Sequence, residues 1–369
     1  MRLVRSRPAL IFLAAVAAGA AAVAVLEQST SPGFDGRRYL TMAEDPGAHV
    51  QAPYVTRVLA PLIVWALPLD ERAGFRVLTV LSFALAAALL YLLLVSWGAS
   101  ERLALGGVAV FLAATSTANV RDPFLIDAFS YCFMIGVLLA LARGRWWLVV
   151  PLLLAAVFTR DAIVVLVAPA LVVYALRHRE ARVPLLAAAA AAGAGWLILT
   201  HTSVVLGFDP PSYNNFSRST FDSVLDYERQ LGPLPKVAYR AFLFSFGALW
   251  IVPLARVPAA RRAPWALAAV LCGVLALVLA PFVSDWTRAL SYAFPAVLAG
   301  LVLLKRDQSL RALLVLAACV AVANYGVQYT EGGAARYALE FGTLAVEAGL
   351  LLVLARGALR RAGAPLPTH

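Results

Sequence analysis

A chain of 369 residues that is 62% hydrophobic and only 14% charged cannot fold as a water-soluble domain, because too little polar side chain is left to cover its surface. The formal charge of +11 would point to nucleic acid in a soluble protein, but the basic residues are scattered over short stretches between apolar runs and form no single face. Cys132, Cys272 and Cys319 each sit inside such a run, so no disulfide framework or CxxC metal site can be read.

In chain order, Arg2, Arg5 and Arg7 precede an apolar run at about 8–26, read as an uncleaved first helix. Further runs follow at about 73–97, 103–118, 127–142, 146–159, 162–176, 183–202, 238–254, 264–283, 289–304, 309–325 and 337–355. Backbone amides in hydrocarbon must bond within their own segment or in a closed barrel, and these Ala/Leu/Val runs lack the alternation of strands. The expected fold is an all-α polytopic transmembrane bundle of about twelve spans, one domain over residues 1–369.

With the amino terminus in the cytoplasm, the inner loops carry Arg102, Arg143, Arg145, Arg177, Arg179, Arg182, Arg256, Arg261, Arg262, Lys305 and Arg306 against Glu101, Glu180 and Asp307. That excess puts both termini inside and makes this a multi-pass protein of the cell membrane. The longer, acidic and aromatic segments at about 27–72 and 203–237 then lie outside. Within the first, Tyr54–Leu67 is apolar but too short to span, and is read as a helix lying along the outer surface.

Trp146–Thr159 would reach about 21 Å against a hydrocarbon core of about 30 Å, so the Arg160–Asp161 turn should end below the outer surface. Charges at such depth persist where they pair or line a wet cavity. Acid and arginine recur together at three more outer turns: Asp35 with Arg37, Arg38 and Arg57; Arg121 with Asp122 and Asp127; and Asp285 with Arg288. Each has a plainer reading as well. Asp35 suits a Phe-Asp-Gly turn, Arg57 can snorkel, Asp122 and Asp127 can cap helices, and Asp285 with Arg288 can form an i, i+3 ion pair. Joined in one pocket, they would offer a carboxylate for a hydroxyl proton and guanidinium groups for a phosphate.

Other features stay open. Tyr213, Phe216, Phe221 and Tyr227 read either as a stacking surface for a sugar or prenyl chain or as an interfacial aromatic belt. No cofactor is expected, the alternative being a divalent cation among Asp35, Asp122 and Asp127. Glu347 falls inside the last run, and its partner cannot be named from the sequence.

Phe34-Asp35-Gly36-Arg37-Arg38-Tyr39-Leu40-Thr41-Met42-Ala43, followed by Arg57-Val58-Leu59-Ala60-Pro61, resembles the D-G-x-x-Y-x-x-x-A and R-x-L-x-P stretches in the first outer loop of the GT-C superfamily of integral membrane glycosyltransferases, mannosyltransferase-like members included. Asp122…Asp127, Thr159-Arg160-Asp161 and Asp285-Trp286-Thr287-Arg288…Pro295 are similar in the same order, so the resemblance runs along most of the chain. It implies inverting transfer of a sugar from a polyprenyl-phosphate donor at the outer membrane face. Asp35 would be the general base, with Tyr39, Arg57, Asp122, Arg160, Asp161, Asp285 and Arg288 binding substrate. The chain stops soon after its last apolar run, unlike relatives with a soluble carboxy-terminal domain, which favours a glycolipid or surface polysaccharide acceptor. The alternatives are a flippase or transporter of lipid-linked sugars, with broken midplane helices, and a polysaccharide polymerase or ligase.

Overall fold

The computed structural model describes residues 2–26, 32–48, 50, 54, 57–205, 218–261, 263–283, 285–304, 310–326 and 333–359. All regular elements among them are helices. The first half comprises α1 (Arg2–Leu26), α2 (Phe34–Glu44), α3 (Leu59–Ala66), α4 (Glu71–Ser96), α5 (Glu101–Arg121), α6 (Asp127–Ala142), α7 (Val149–Thr159) and α8 (Ala162–Arg177). The second comprises α9 (Arg182–Val205), α10 (Arg218–Leu231), α11 (Leu234–Phe246), α12 (Ile251–Ala260), α13 (Pro264–Leu279), α14 (Trp286–Ser291), α15 (Phe294–Leu304), α16 (Leu310–Ala321) and α17 (Ala334–Leu359).

Eight helical stretches among the described residues are long and apolar enough to cross a membrane, from Arg7–Val25 to Ala334–Leu354. By length and composition the chain is therefore a multi-pass membrane protein. Four shorter apolar helices, Asp127–Ala142, Trp146–Thr159, Ala162–Arg177 and Leu310–Tyr325, occupy the remaining runs expected from the sequence. Large apolar side chains also cover the outside: Leu176 is 71% exposed, Leu186 70% and Leu254 72%. Such a surface is costly in water but not in hydrocarbon.

Local chemistry sets the helix limits. Asp70 caps α4 by accepting from the Ala73 N–H at 2.9 Å, and Ser100 caps α5 by accepting from the Leu103 N–H at 3.3 Å. Arg7 pairs with Glu101, tying the start of α1 to the start of α5, as a shared membrane face for both requires. Inside, α4, α5, α6, α8, α13 and α15 enclose one large apolar core. Gly300 allows α15 to lie against the backbone of α12, since a β-carbon there would come within 2.9 Å of the Pro253 nitrogen.

Two expectations need correcting. The helix expected over Tyr54–Leu67 occupies only Leu59–Ala66, with Trp65 57% exposed, and Arg57 before it donates to the Tyr39 hydroxyl. Residues 55–56 of that stretch lie outside the described residues. The D-G-x-x-Y segment is also no turn: it is the start of α2, with Asp35 in the first turn, where the helix N-terminus favours a carboxylate. The 203–237 segment contains α10 and the start of α11, while Tyr213 and Phe216 lie outside the described residues. Phe221 packs on Phe282 with ring centres 5.6 Å apart, and Tyr227 is exposed.

Glu347 finds a partner across the fold. The stretch Leu234–Arg256 is broken at Gly247, whose φ of +52° no side chain adopts readily. The carboxylate of Glu347 accepts from the Ala248 N–H at 2.6 Å and so caps the second half of the broken helix.

Candidate functional site

The polar residues that interrupt the apolar runs meet at one end of the bundle. They come from the starts of α2, α6 and α14, the end of α5, the turn between α7 and α8, and the segment before α3. Arg288 is the hinge of the cluster. Its Nη1 donates to Asp35 Oδ2 at 2.9 Å, while Nη2 and Nε donate to Asp127 Oδ2 at 2.7 and 3.1 Å. The other Asp127 oxygen accepts from the Tyr292 hydroxyl at 2.9 Å and pairs with Arg160. Arg160 also faces the Tyr292 ring, 5.1 Å from its centre. Asp127, with a side chain only 1% exposed, therefore holds two arginines side by side.

Asp35 sits at the open edge. Its side chain is 25% exposed, and its Oδ1 accepts from the Tyr54 hydroxyl at 2.6 Å. Burial pushes its carboxyl upward, but Arg288, the Tyr54 hydroxyl and Arg57 outweigh that and leave it below the ordinary carboxylate value. Arg57 donates to the Tyr39 hydroxyl at 3.1 Å and lies over the Tyr54 ring, 5.6 Å from its centre. Among the described residues, no carboxylate is within salt-bridge distance of Arg57 and its Nε has no partner. A partly buried cation so placed suits an incoming anion.

Asp122, Asp161 and Asp285 turn out to shape the backbone. Asp122 follows α5 rather than starting α6. Its carboxylate accepts from the Gly33 N–H at 3.0 Å and the Phe124 N–H at 3.3 Å, fastening the start of α2 to the α5–α6 turn. Gly36 permits that approach, for a β-carbon there would lie 2.8 Å from Asp122 Oδ1. Burial, helped by the nearby Asp35 charge, outweighs the Gly33 and Phe124 N–H donors and the Arg288 guanidinium and leaves the Asp122 carboxyl above its ordinary value. Asp161 accepts from the Ala162 N–H at 3.0 Å at the start of α8. Asp285 caps α14 through the Arg288 N–H at 3.0 Å, and its own reach to Arg288 Nε is a loose 3.9 Å. The expected Asp285–Arg288 pair is thus subordinate to the long-range pairing of Arg288 with Asp127 and Asp35.

Of the eight expected residues, the structure pairs Asp35 with Arg288 and Arg57 with Tyr39, links Arg160 to Arg288 through Asp127 and the Arg57–Tyr39 pair to Asp35 through Tyr54, and sets Asp122, Asp161 and Asp285 around them as supports. It adds Tyr54, Tyr292 and, at the centre, Asp127. Tyr292 lies four residues after Arg288, a spacing that places both on one side of a helix. Asp35, Asp122 and Asp127 form no metal cage, and among the described residues no group of three or more such ligands gathers. Each of those carboxylates is already turned to a guanidinium, a hydroxyl or an N–H.

A further carboxylate stands beside the site. Glu228 on α10 is buried, and α10 packs on α11 and on the turn Ala280–Phe282, next to Asp285. Burial first, and the Asp285 charge second, push the Glu228 carboxyl up to about 7. The fold thus prefers the protonated acid, and the stability this contributes at low pH is lost as pH rises from the ordinary value of 4.5 through about 7. Glu228→Gln is expected to remove that loss. The thermal midpoint of the native protein should fall relative to the variant between about pH 4.5 and pH 7, and parallel curves would contradict the assignment.

On the far side of Arg288 lies a cavity of about 240 Å³, bounded by α5, α14 and the widened π-turn Val322–Gly326 that ends α16. No family model matches the chain, and no curated protein is detectably similar to it.

Proposed function

We propose that this chain is a GT-C-like membrane glycosyltransferase, moving a sugar from a polyprenyl-phosphate donor to a glycolipid or surface polysaccharide acceptor. On this reading all twelve apolar helices cross the cell membrane, both termini are cytoplasmic, and the Asp35 end faces outward. The observation that carries it is the sharing of Arg288 between a sealed carboxylate, Asp127, and a partly exposed one, Asp35.

That arrangement suits a displacement at a sugar carbon. The donor phosphate competes with Asp35 for Arg288, with Arg57 as a second cation beside it. As Arg288 turns to the phosphate, Asp35 loses its strongest counter-charge and becomes a better base. The acceptor hydroxyl gives its proton to Asp35 while its oxygen bonds to the sugar carbon. The bond from that carbon to the phosphate oxygen breaks on the opposite side, which inverts the centre. The departing phosphate keeps the electron pair and is stabilised by arginines already in position. The prenyl tail remains in hydrocarbon throughout, which is why such chemistry belongs at a membrane boundary.

A carrier of lipid-linked sugars is the rival, and the broken helix at Gly247 with Glu347 at its cap is the feature that favours it. The polar cluster, however, lies at one end of the bundle rather than at that break. Purified protein in nanodiscs, given labelled polyprenyl-phosphate sugars and glycolipid acceptors, separates the two. Covalent transfer of label supports the enzyme. Movement of the donor between liposome leaflets without transfer overturns it, and polymer growth on the acceptor indicates a polymerase.

A further inference from the structure

The cavity behind Arg288 holds a set of groups that the acid–arginine cluster does not use. Thr117, on the last turns of α5, is buried and lines it, yet its hydroxyl has no hydrogen-bond partner. Mid-helix threonines normally turn their hydroxyls onto the carbonyl four residues back, as Thr115 does to Phe111 at 2.8 Å. Thr117 does not. A buried hydroxyl left without a partner is destabilising, so one carried by a side chain that lines a cavity points to something that enters it.

The opposite wall comes from the π-turn at the end of α16. A wide turn of this kind displaces the helix register by one residue and is frequent at functional positions. Here it brings the buried Asn324 to the cavity wall. The Asn324 amide nitrogen donates to the Val320 carbonyl at 3.0 Å, which leaves the amide oxygen as acceptor. Asn119, also lining the cavity, is engaged the other way round. Its oxygen accepts from the Ala128 N–H at 3.2 Å, leaving the amide N–H groups as donors. The Ser116 hydroxyl and Tyr325 hydroxyl, 2.7 Å apart, tie α5 to the π-turn and hold the two walls together.

Arg121, Asp285 and Arg288 line the cavity too, so it joins groups for a phosphate to neutral donors and acceptors that suit a polyhydroxylated ring and that a prenyl chain would leave unpaired. A volume of about 240 Å³ is below the roughly 300–1,000 Å³ usual for drug-sized ligands, which limits the occupant to one ring. From this we infer that the cavity is the pocket for a single monosaccharide unit of the donor, and that Thr117 and Asn324 read its hydroxyl groups. The inference rests on the transferase reading and deepens it: Arg288, which borders both spaces, would hold the phosphate at the junction of the pocket and Asp35.

The test uses full-length protein in nanodiscs and a panel of polyprenyl phosphates carrying different single monosaccharides, with sugar-free polyprenyl phosphate as inhibitor. Thr117→Val keeps the shape and removes the hydroxyl. It is expected to lower kcat/KM for the preferred donor about tenfold and to narrow the gap between preferred and poor donors. Asn324→Leu should do the same, Thr117→Ser should restore most of the loss, and inhibition by the sugar-free lipid should be unchanged in all three. Native kcat/KM and an unaltered donor ranking in both Thr117→Val and Asn324→Leu would overturn the pocket assignment while leaving the transferase reading intact. Weakened inhibition by the sugar-free lipid in step with lost transfer would overturn it too, by showing a general disturbance. If the native protein transfers none of the sugars, the transferase reading itself fails and the pocket assignment falls with it. Should Thr117→Val not fold, Asn324→Leu decides on the same criteria.

Discussion

Replacing Asp35 by Asn is expected to reduce sugar transfer by about 10²–10⁴-fold while leaving insertion and folding near normal. The side chain is at the edge of the cluster, so an amide of the same shape can still accept from the Tyr54 hydroxyl. What it cannot do is take a proton from an acceptor. Its NH₂ would also face the Arg288 Nη1 that now donates to Asp35 at 2.9 Å, loosening that link without exposing a buried charge. Donor KM should therefore fall or hold, since the phosphate no longer competes with a carboxylate for Arg288, and kcat should carry the loss. Because Arg288 and Tyr54 hold the Asp35 carboxyl below its ordinary value, it stays ionised well into the acid range. Its folded value being depressed, the stability it contributes is present above the unfolded value and is lost only as pH falls through the folded one. The kcat/KM of transfer, which reports the free enzyme, should accordingly not decline between neutral pH and about pH 5 on account of Asp35. Native-like kcat in the Asn variant would remove Asp35 from the chemistry.

Asp127→Ala is expected to be the more damaging change for the molecule as a whole. It would leave Arg160 and Arg288 buried side by side without their shared counter-ion, and the Tyr292 hydroxyl without its acceptor. Breaking one side of a buried ion pair commonly costs about 3–5 kcal/mol, and here two guanidiniums lose the same partner. Asp285→Ala provides the control. Asp285 is 44% exposed and acts mainly as the cap of α14, so its loss should cost about 1 kcal/mol. Thermal unfolding of both variants in one detergent, followed by size-exclusion of the heated samples, compares them directly. A midpoint for Asp127→Ala equal to that of Asp285→Ala would mean that the arginines find other partners, and that Asp127 is not the organiser of the cluster. Transfer cannot be read in Asp127→Ala unless the protein survives, which is why stability is its readout.

The helices were legible because each reports on itself. An apolar run long enough to matter, bounded by Asp70, Ser100 or a glycine such as Gly98 or Gly144, satisfies its own backbone whatever surrounds it. Asp35, Arg160 and Arg288 were legible for a related reason: each interrupts or borders such a run, where a charge needs company. The company itself was not legible. Arg288 lies 161 residues from Asp127 and 253 from Asp35, and Glu347 lies 99 from Ala248. Asp122 and Asp127 looked alike as acids flanking one turn, yet one fastens backbone and the other gathers two arginines.

Composition and the spacing of apolar runs thus determined that this chain is a helical membrane protein with charges at particular helix ends, since those properties come from local backbone bonding and the cost of water against hydrocarbon. Which acid is sealed, which remains within reach of a substrate, and which hydroxyls face an internal space were decided only by tertiary packing. Those outcomes depend on which helix ends are pressed together, and a guanidinium chooses among carboxylates by distance in space, a quantity that separation along the chain does not contain.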